Sequence, residues 1–335
     1  AYANMGSYFG ESIALIPHHD PSAGGRNVLW VGAPSPPSEW ITPLQLDQGD
    51  PFGILASAVR GTPCGNCSAL VRGVSTLSPP PDVAPGGAWA PGAQAGSAMA
   101  TIWGLSNATH TAVAVPEWHN SASVGGQDVL RVLLVHRETL QTSHLASITA
   151  GMSAGLLHFD ISRHARFGFA VAEVQDVNGD GQSELAVTSG LIAGAPVADA
   201  VLLLLHLQAD GSVSGFIRID TNTDNVMGIA SDIDFGAALA AAGDFMGLGG
   251  PVLFVGAPAD DNQRGTVHML ALHPGGTVGM HVDMTAGGAL YSDQFSRLGS
   301  SLAVVPDQTG DGVAELLGGR RGGEGGRGEV FVLEQ

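Results

Sequence analysis

Two nine-residue stretches carry the side chains best suited to chemistry. Asp176-Val177-Asn178-Gly179-Asp180-Gly181-Gln182-Ser183-Glu184 places oxygen donors at positions one, three, five and nine, with glycines that let the chain turn sharply between them. Calcium takes six to eight oxygen ligands at about 2.3–2.6 Å, and the backbone carbonyl of Gln182 at position seven supplies another. Asp307-Gln308-Thr309-Gly310-Asp311-Gly312-Val313-Ala314-Glu315 repeats the order, with the Thr309 hydroxyl at three, Asp311 at five and the Val313 carbonyl at seven. The expectation is one Ca²⁺ in each loop. The competing reading is an Asp/Asn/Gly turn with no ion, against which the matched spacing of two copies weighs. An EF-hand would need a bidentate Glu at position twelve, where Val187 and Gly318 stand instead, and would flank the loop with helices.

Both loops sit inside a longer repeat. Phe167-Gly168 leads through a short alternating run to the loop at Asp176 and then to Leu185-Ala186-Val187; Phe235-Gly236 leads to Asp244 and then to Val255-Gly256-Ala257-Pro258; Leu298-Gly299 leads to Asp307 and then to Leu316-Leu317. In all three the loop begins nine positions after the aromatic or aliphatic residue. Looser copies begin at Phe9-Gly10, running to Val31-Gly32-Ala33-Pro34, and at Phe52-Gly53, running to Val71-Arg72-Gly73. A degenerate copy near Ala108 has Thr111 to Val115 as its first strand and Val129 to Val135 as its second. A third run such as Gly265 to Leu270 and a fourth such as Val278 to Val282 complete a four-stranded unit, and such units repeated radially make propeller blades. The fold expected is therefore all-β: one β-propeller domain over residues 1–335, with antiparallel four-stranded blades starting near 9, 52, 108, 167, 235 and 298. Six blades are visible, or seven if the native chain is longer.

In this order, Phe-Gly, a D-x-N-G-D-G loop and Val-Gly-Ala-Pro resemble the FG-GAP repeats of the integrin α-subunit propeller, strongly from about residue 160 onward and weakly before it. The resemblance implies calcium in the blade loops, and loops on one ring face presented to protein partners. Both loops end in Glu where that family's pattern usually has Asp. The loop at Asp244 offers Met246, Leu248 and Val252 where oxygens are needed and is expected to be empty. In the second unit Cys64 and Cys67 occupy the loop position, and a local disulfide there is expected to staple the turn in place of an ion, since a zinc site would need two more ligands.

Other strings lack the context their chemistry requires. Gly151-Met152-Ser153-Ala154-Gly155 matches a nucleophile elbow without the strand before it, the helix after it or separate triad partners. Gly323-Glu324-Gly325-Gly326-Arg327-Gly328 matches a dinucleotide fingerprint but runs into Glu329-Val330-Phe331-Val332 and not a helix. His18-His19-Asp20 and Glu117-Trp118-His119 show no second ligand group at a defined spacing.

Composition narrows the function classes. With 49 Gly and 19 Pro, 44% hydrophobic and 13% charged residues, the chain suits short strands joined by turns. It has no lysine, and 13 arginines against 31 acidic residues leave a net charge of −18, which opposes binding to nucleic acid or anionic membranes. Its longest apolar run, Ala200 to Leu207, is strand-sized and too short to span a bilayer as a helix. The cysteine pair, with possible N-glycosylation triplets at Asn66 and Asn107, fits an extracellular or cell-surface location. The expectation is a non-catalytic, calcium-stabilised module for protein-protein interaction, adhesion or assembly of a surface structure, with a cell-surface protein partner. The Pro/Gly-rich insertion Ser78 to Gly96 is either a contact loop or a disordered surface excursion. The alternative function is a glycan-binding lectin using one of Trp30, Trp40, Trp89, Trp103 or Trp118 as a platform, and a polysaccharide-acting enzyme ranks below both.

Overall fold

The computed structural model describes residues 12–16, 28–35, 38–46, 71–74, 93–95, 98–119, 128–139, 141–149, 167–189, 201–220, 223–226, 229, 234–285, 296–305, 307, 310–320 and 329–333. These residues are almost wholly strand and turn, and they divide between two compact units, one formed by residues 1–126 and 130–146 and the other by 127–129 and 147–335. The sheets are built mostly of antiparallel pairs.

In the first unit β1 (Ser12–Ile16), β2 (Val28–Ser35), β3 (Ser38–Leu46) and β4 (Val71–Val74) form one sheet in chain order. This corrects the repeat assignment. Val71–Val74 pairs with β3, Leu44 opposite Val74 and Leu46 opposite Val71, and so closes the first sheet instead of serving as the second strand of a unit begun at Phe52. The pairing covers the edge that the nine-residue β3 would otherwise leave open. The other sheet contains β5 (Ala93–Ala95), β6 (Ala100–Ile102), β7 (His110–His119), β8 (Val129–His136) and β9 (Thr142–Thr149). Both β5 and β6 pair with β7, so the far end of the Ser78–Gly96 insertion is a strand and not a surface excursion. Within this sheet Glu117, 2% exposed, is held by Arg131 at 2.9 Å, which gives that carboxylate a structural partner.

The second unit carries the sharp repeats. Its sheets are β10 (Phe167–Val174), β11 (Glu184–Ser189), β12 (Val201–Leu207) and β13 (Val213–Ile219); then β14 (Leu239–Asp244), β15 (Pro251–Ala257), β16 (Thr266–Leu272) and β17 (Val278–Thr285); then β18 (Leu298–Val305), β19 (Glu315–Arg320) and β20 (Glu329–Leu333). Each runs in chain order, and the first strands β10, β14 and β18 lie beside one another, as in consecutive propeller blades. Among the described residues there are thus four sheets of four or more strands and one of three, where six units were expected.

The Phe-Gly spacing has a visible cause. Phe167, Phe235 and Leu298 are buried, and the glycine after each, Gly168, Gly236 and Gly299, has φ between 86° and 89°, a conformation open to glycine at little cost. Gly236 then donates its amide to the Gly256 carbonyl at 2.9 Å, joining the two ends of the Phe-Gly and Gly-Ala-Pro signatures. Gly256 packs against the backbone of Gly299 in the next sheet, so closely that a Cβ there would collide with it. Between the first two sheets the core contains Val174, Leu202, Leu204, Leu253, Val255, Leu270 and Phe235. Between the second and third it contains Phe254, Val252, Met269, Leu298 and Leu316.

Candidate functional site

The acidic loop from Asp176 connects β10 to β11, and its last residue, Glu184, opens β11. That strand is buried along its whole length, Glu184 included, while Asp176 and Asp180 are exposed. Ligand oxygens of Asp176, Asp180 and Glu184 all lie within 4.8 Å of one another. Two oxygens on opposite sides of a calcium ion are separated by about 4.6–5.2 Å at bond lengths of ~2.3–2.6 Å, so the cluster is within the span of one ion.

The loop is pre-shaped by its own backbone. Asp176 accepts the Gly179 amide at 2.6 Å through Oδ1 and the Gly181 amide at 2.8 Å through Oδ2. Asp180 accepts the Gln182 amide at 2.8 Å, and Asn178 Oδ1 accepts the Asp180 amide at 2.8 Å. Gly179 and Gly181, with φ of 81° and 86°, supply the turns. Burial raises the Asp176 carboxyl, but the amides of Gly181, Gly179, Asp180 and Asn178 together outweigh it and hold the group below its usual range. One wall of the loop is fixed by Val177, whose side chain sits in the core and whose carbonyl accepts the Gly275 amide from the turn between β16 and β17.

Glu184 is the unusual member. Oε2 accepts the Val177 amide at 2.8 Å, whereas Oε1 is buried with no hydrogen-bond partner. Burial, followed by the charges of Asp176 and Asp180, pushes its carboxyl up to about 7. A buried oxygen without a partner costs on the order of 1–3 kcal/mol. A divalent cation among the three carboxylates would both occupy that oxygen and favour the ionised form.

The second loop has the same backbone design. Asp307 accepts the Gly310 amide at 2.6 Å and the Gly312 amide at 2.7 Å, Asp311 accepts the Val313 amide at 2.8 Å, and Glu315 is 3% exposed at the head of β19. These are the bonds of the first loop shifted along the chain by 131 positions, the distance from Asp176 to Asp307. Thr309 lies outside the described residues. Among the described residues a three-carboxylate cluster forms in the first loop but not in this one. At the intermediate position Asp244 accepts the Gly249 amide at 2.8 Å, and a single 3₁₀ turn, Phe245–Gly247, fills the loop.

Cys64, Cys67 and Asn66 lie outside the described residues. Asn107 is exposed, and its Oδ1 accepts the amides of Thr109 and His110, both at 2.9 Å, in a tight turn before β7. Trp103 stands 48% exposed in the 3₁₀ turn Trp103–Leu105. Three residues without a motif of their own, His268, His281 and Asp283, also converge; their only trace in the sequence is the His-x-Asp alternation within one strand. No protein-family model matches the chain, and no curated protein matches it.

Proposed function

We propose that the chain is a calcium-stabilised propeller module of the FG-GAP type that acts outside the cell, without catalysis, as a surface for protein-protein interaction, adhesion or assembly. The observation that carries the calcium reading is Glu184 Oε1, a buried carboxylate oxygen with no hydrogen-bond partner beside two exposed carboxylates. The repeat order around it supports the FG-GAP reading, because Gly168, Gly236 and Gly299 share one backbone conformation and Gly236 closes on Gly256. A second loop with the same amide bonds supports two ions per chain, held by Asp176, Asn178, Asp180, Gln182 and Glu184 and by Asp307, Thr309, Asp311, Val313 and Glu315. In this reading calcium stiffens the turns that join the first and second strands, and other loops meet a cell-surface partner. Calorimetric titration of chelator-stripped protein with Ca²⁺ tests it: two equivalents are expected, and no heat of binding together with no thermal shift would reject it.

The lectin reading keeps one observation in its favour, the exposed indole of Trp103. A glycan array in calcium separates the two. Competable sugar binding lost in Trp103→Ala supports the lectin; silence on the array, with calcium-dependent adhesion to cells, supports the interaction module.

A further inference from the structure

On β16 and β17, away from both acidic loops in sequence, His268 pairs opposite Asp283 and Leu270 opposite His281. Alternate residues of a strand share a face, which brings His268, His281 and Asp283 to the same side of the sheet. Nδ1 of His268 lies 3.0 Å from Nε2 of His281 and 2.7 Å from Oδ1 of Asp283, and Nε2 of His281 lies 2.7 Å from that same oxygen.

With Asp283 as a carboxylate, protons alone leave at least one edge of this triangle unmatched. If both nitrogens carry hydrogen, each can donate to Asp283, but two N–H groups then face each other across the 3.0 Å edge. If only one does, the other nitrogen turns a lone pair toward the carboxylate oxygen at 2.7 Å. If neither does, all three edges are lone pair against lone pair. A cation outside the plane of the three atoms satisfies every edge at once.

We propose that His268, His281 and Asp283 bind a divalent transition metal ion of the zinc class, with a fourth coordination position open to solvent. Two imidazole nitrogens and one carboxylate oxygen are a donor set of that class, whereas calcium prefers oxygen alone. Tetrahedral zinc, with bonds of about 2.0–2.1 Å, sets its ligand atoms roughly 3.3 Å apart, so the triangle opens by about half an ångström on binding. The framework that fixes the ligands is already present. His268 is 1% exposed, its ring T-shaped against Phe235 with centroids 5.3 Å apart, and the His281 side chain is 6% exposed. Asp283, 43% exposed at the side-chain level, marks the side from which an ion enters.

The test uses the full chain, stripped with chelator, reloaded with Ca²⁺ and titrated with Zn²⁺ or Co²⁺ alone. One equivalent of Zn²⁺ is expected, and Co²⁺ should give the intense visible bands of four-coordinate cobalt. Asp283→Asn, a change at the half-exposed ligand, should weaken binding beyond the 10–100-fold typical of lost outer-shell partners and abolish those bands, with the circular dichroism spectrum unchanged. His281→Ala should do the same. Asp210→Asn, in the exposed turn between β12 and β13, should leave the zinc titration as it was. Absence of a stoichiometric zinc site, or cobalt bands that persist in Asp283→Asn, would overturn the assignment in favour of adventitious binding by other histidines.

Discussion

The hydroxyl of Thr188 donates to the carbonyl of Gly236 at 2.8 Å and accepts the Ala170 amide at 3.0 Å, so one buried oxygen ties β10 and β11 to the turn that opens the next sheet. Thr188→Val keeps the shape and removes the hydroxyl, stranding a donor and an acceptor. A loss of about 1–3 kcal/mol is expected, read as a shift of the urea midpoint with an unchanged slope. An unaltered midpoint would show that water replaces both bonds.

Gly236→Ala should cost more. Its φ is 89°, and a Cβ would stand 2.6 Å from Thr188 Cγ2. The left-handed conformation alone costs about 1–2 kcal/mol for a non-glycine residue, and the clash adds to it. Gly179→Ala shares the strained φ of 81° but meets no atom within 4 Å. The difference between the two variants in thermal denaturation therefore isolates the contact from the backbone term.

Glu184 makes calcium-free stability depend on pH in a stated direction. Its folded pKa, about 7, lies above the ordinary carboxylate value of 4.5, so its contribution is fully present below pH 4.5 and is lost as pH rises through 7. The loss is on the order of 2 kcal/mol once water around the exposed neighbouring carboxylates is allowed for. Glu184→Gln should flatten that part of the profile. Equal slopes for the two proteins between pH 5 and 8, measured by denaturant titration in chelator, would contradict the assignment.

With calcium the sign reverses, because the ion binds the ionised form. Affinity at the first loop should fall about tenfold per pH unit below 7, with close to one proton released per ion at pH 6. Calorimetry in two buffers of different ionisation enthalpy counts that proton. Asp176→Asn and Asp307→Asn should each remove one equivalent. Each site should confer about 2.7 kcal/mol when free calcium is a hundred times the dissociation constant.

Legibility in the sequence followed the chemistry of the backbone. Where the chain needs a positive φ, only glycine serves well, so Gly168, Gly236 and Gly299 stood at fixed offsets and could be read. The loops were legible for the same reason: Gly179, Gly181, Gly310 and Gly312 all have positive φ. In the first half glycine is spread too widely to punctuate, and Val71–Val74, only four residues with an arginine and a glycine among them, carries no mark of the strand it pairs with. The orphan oxygen of Glu184 was hidden, since burial follows from what covers a strand end and not from loop spacing. His268 and His281 lie thirteen residues apart, and only the register of β16 on β17 reveals that they meet.

The junctions of the second unit bear on how it comes apart. Thr188 and Gly256 each stand one residue before the end of the second strand of one sheet, and each grips the glycine turn of the next; Leu298 also donates its amide to the Arg264 carbonyl at 2.8 Å. A sheet held this way cannot peel off without exposing bonds that belong to its neighbour. Amide hydrogen exchange across β10–β19 should therefore report one shared opening free energy, with Ala170, Gly236 and Leu298 exchanging through the same event, and not a series of independent local openings.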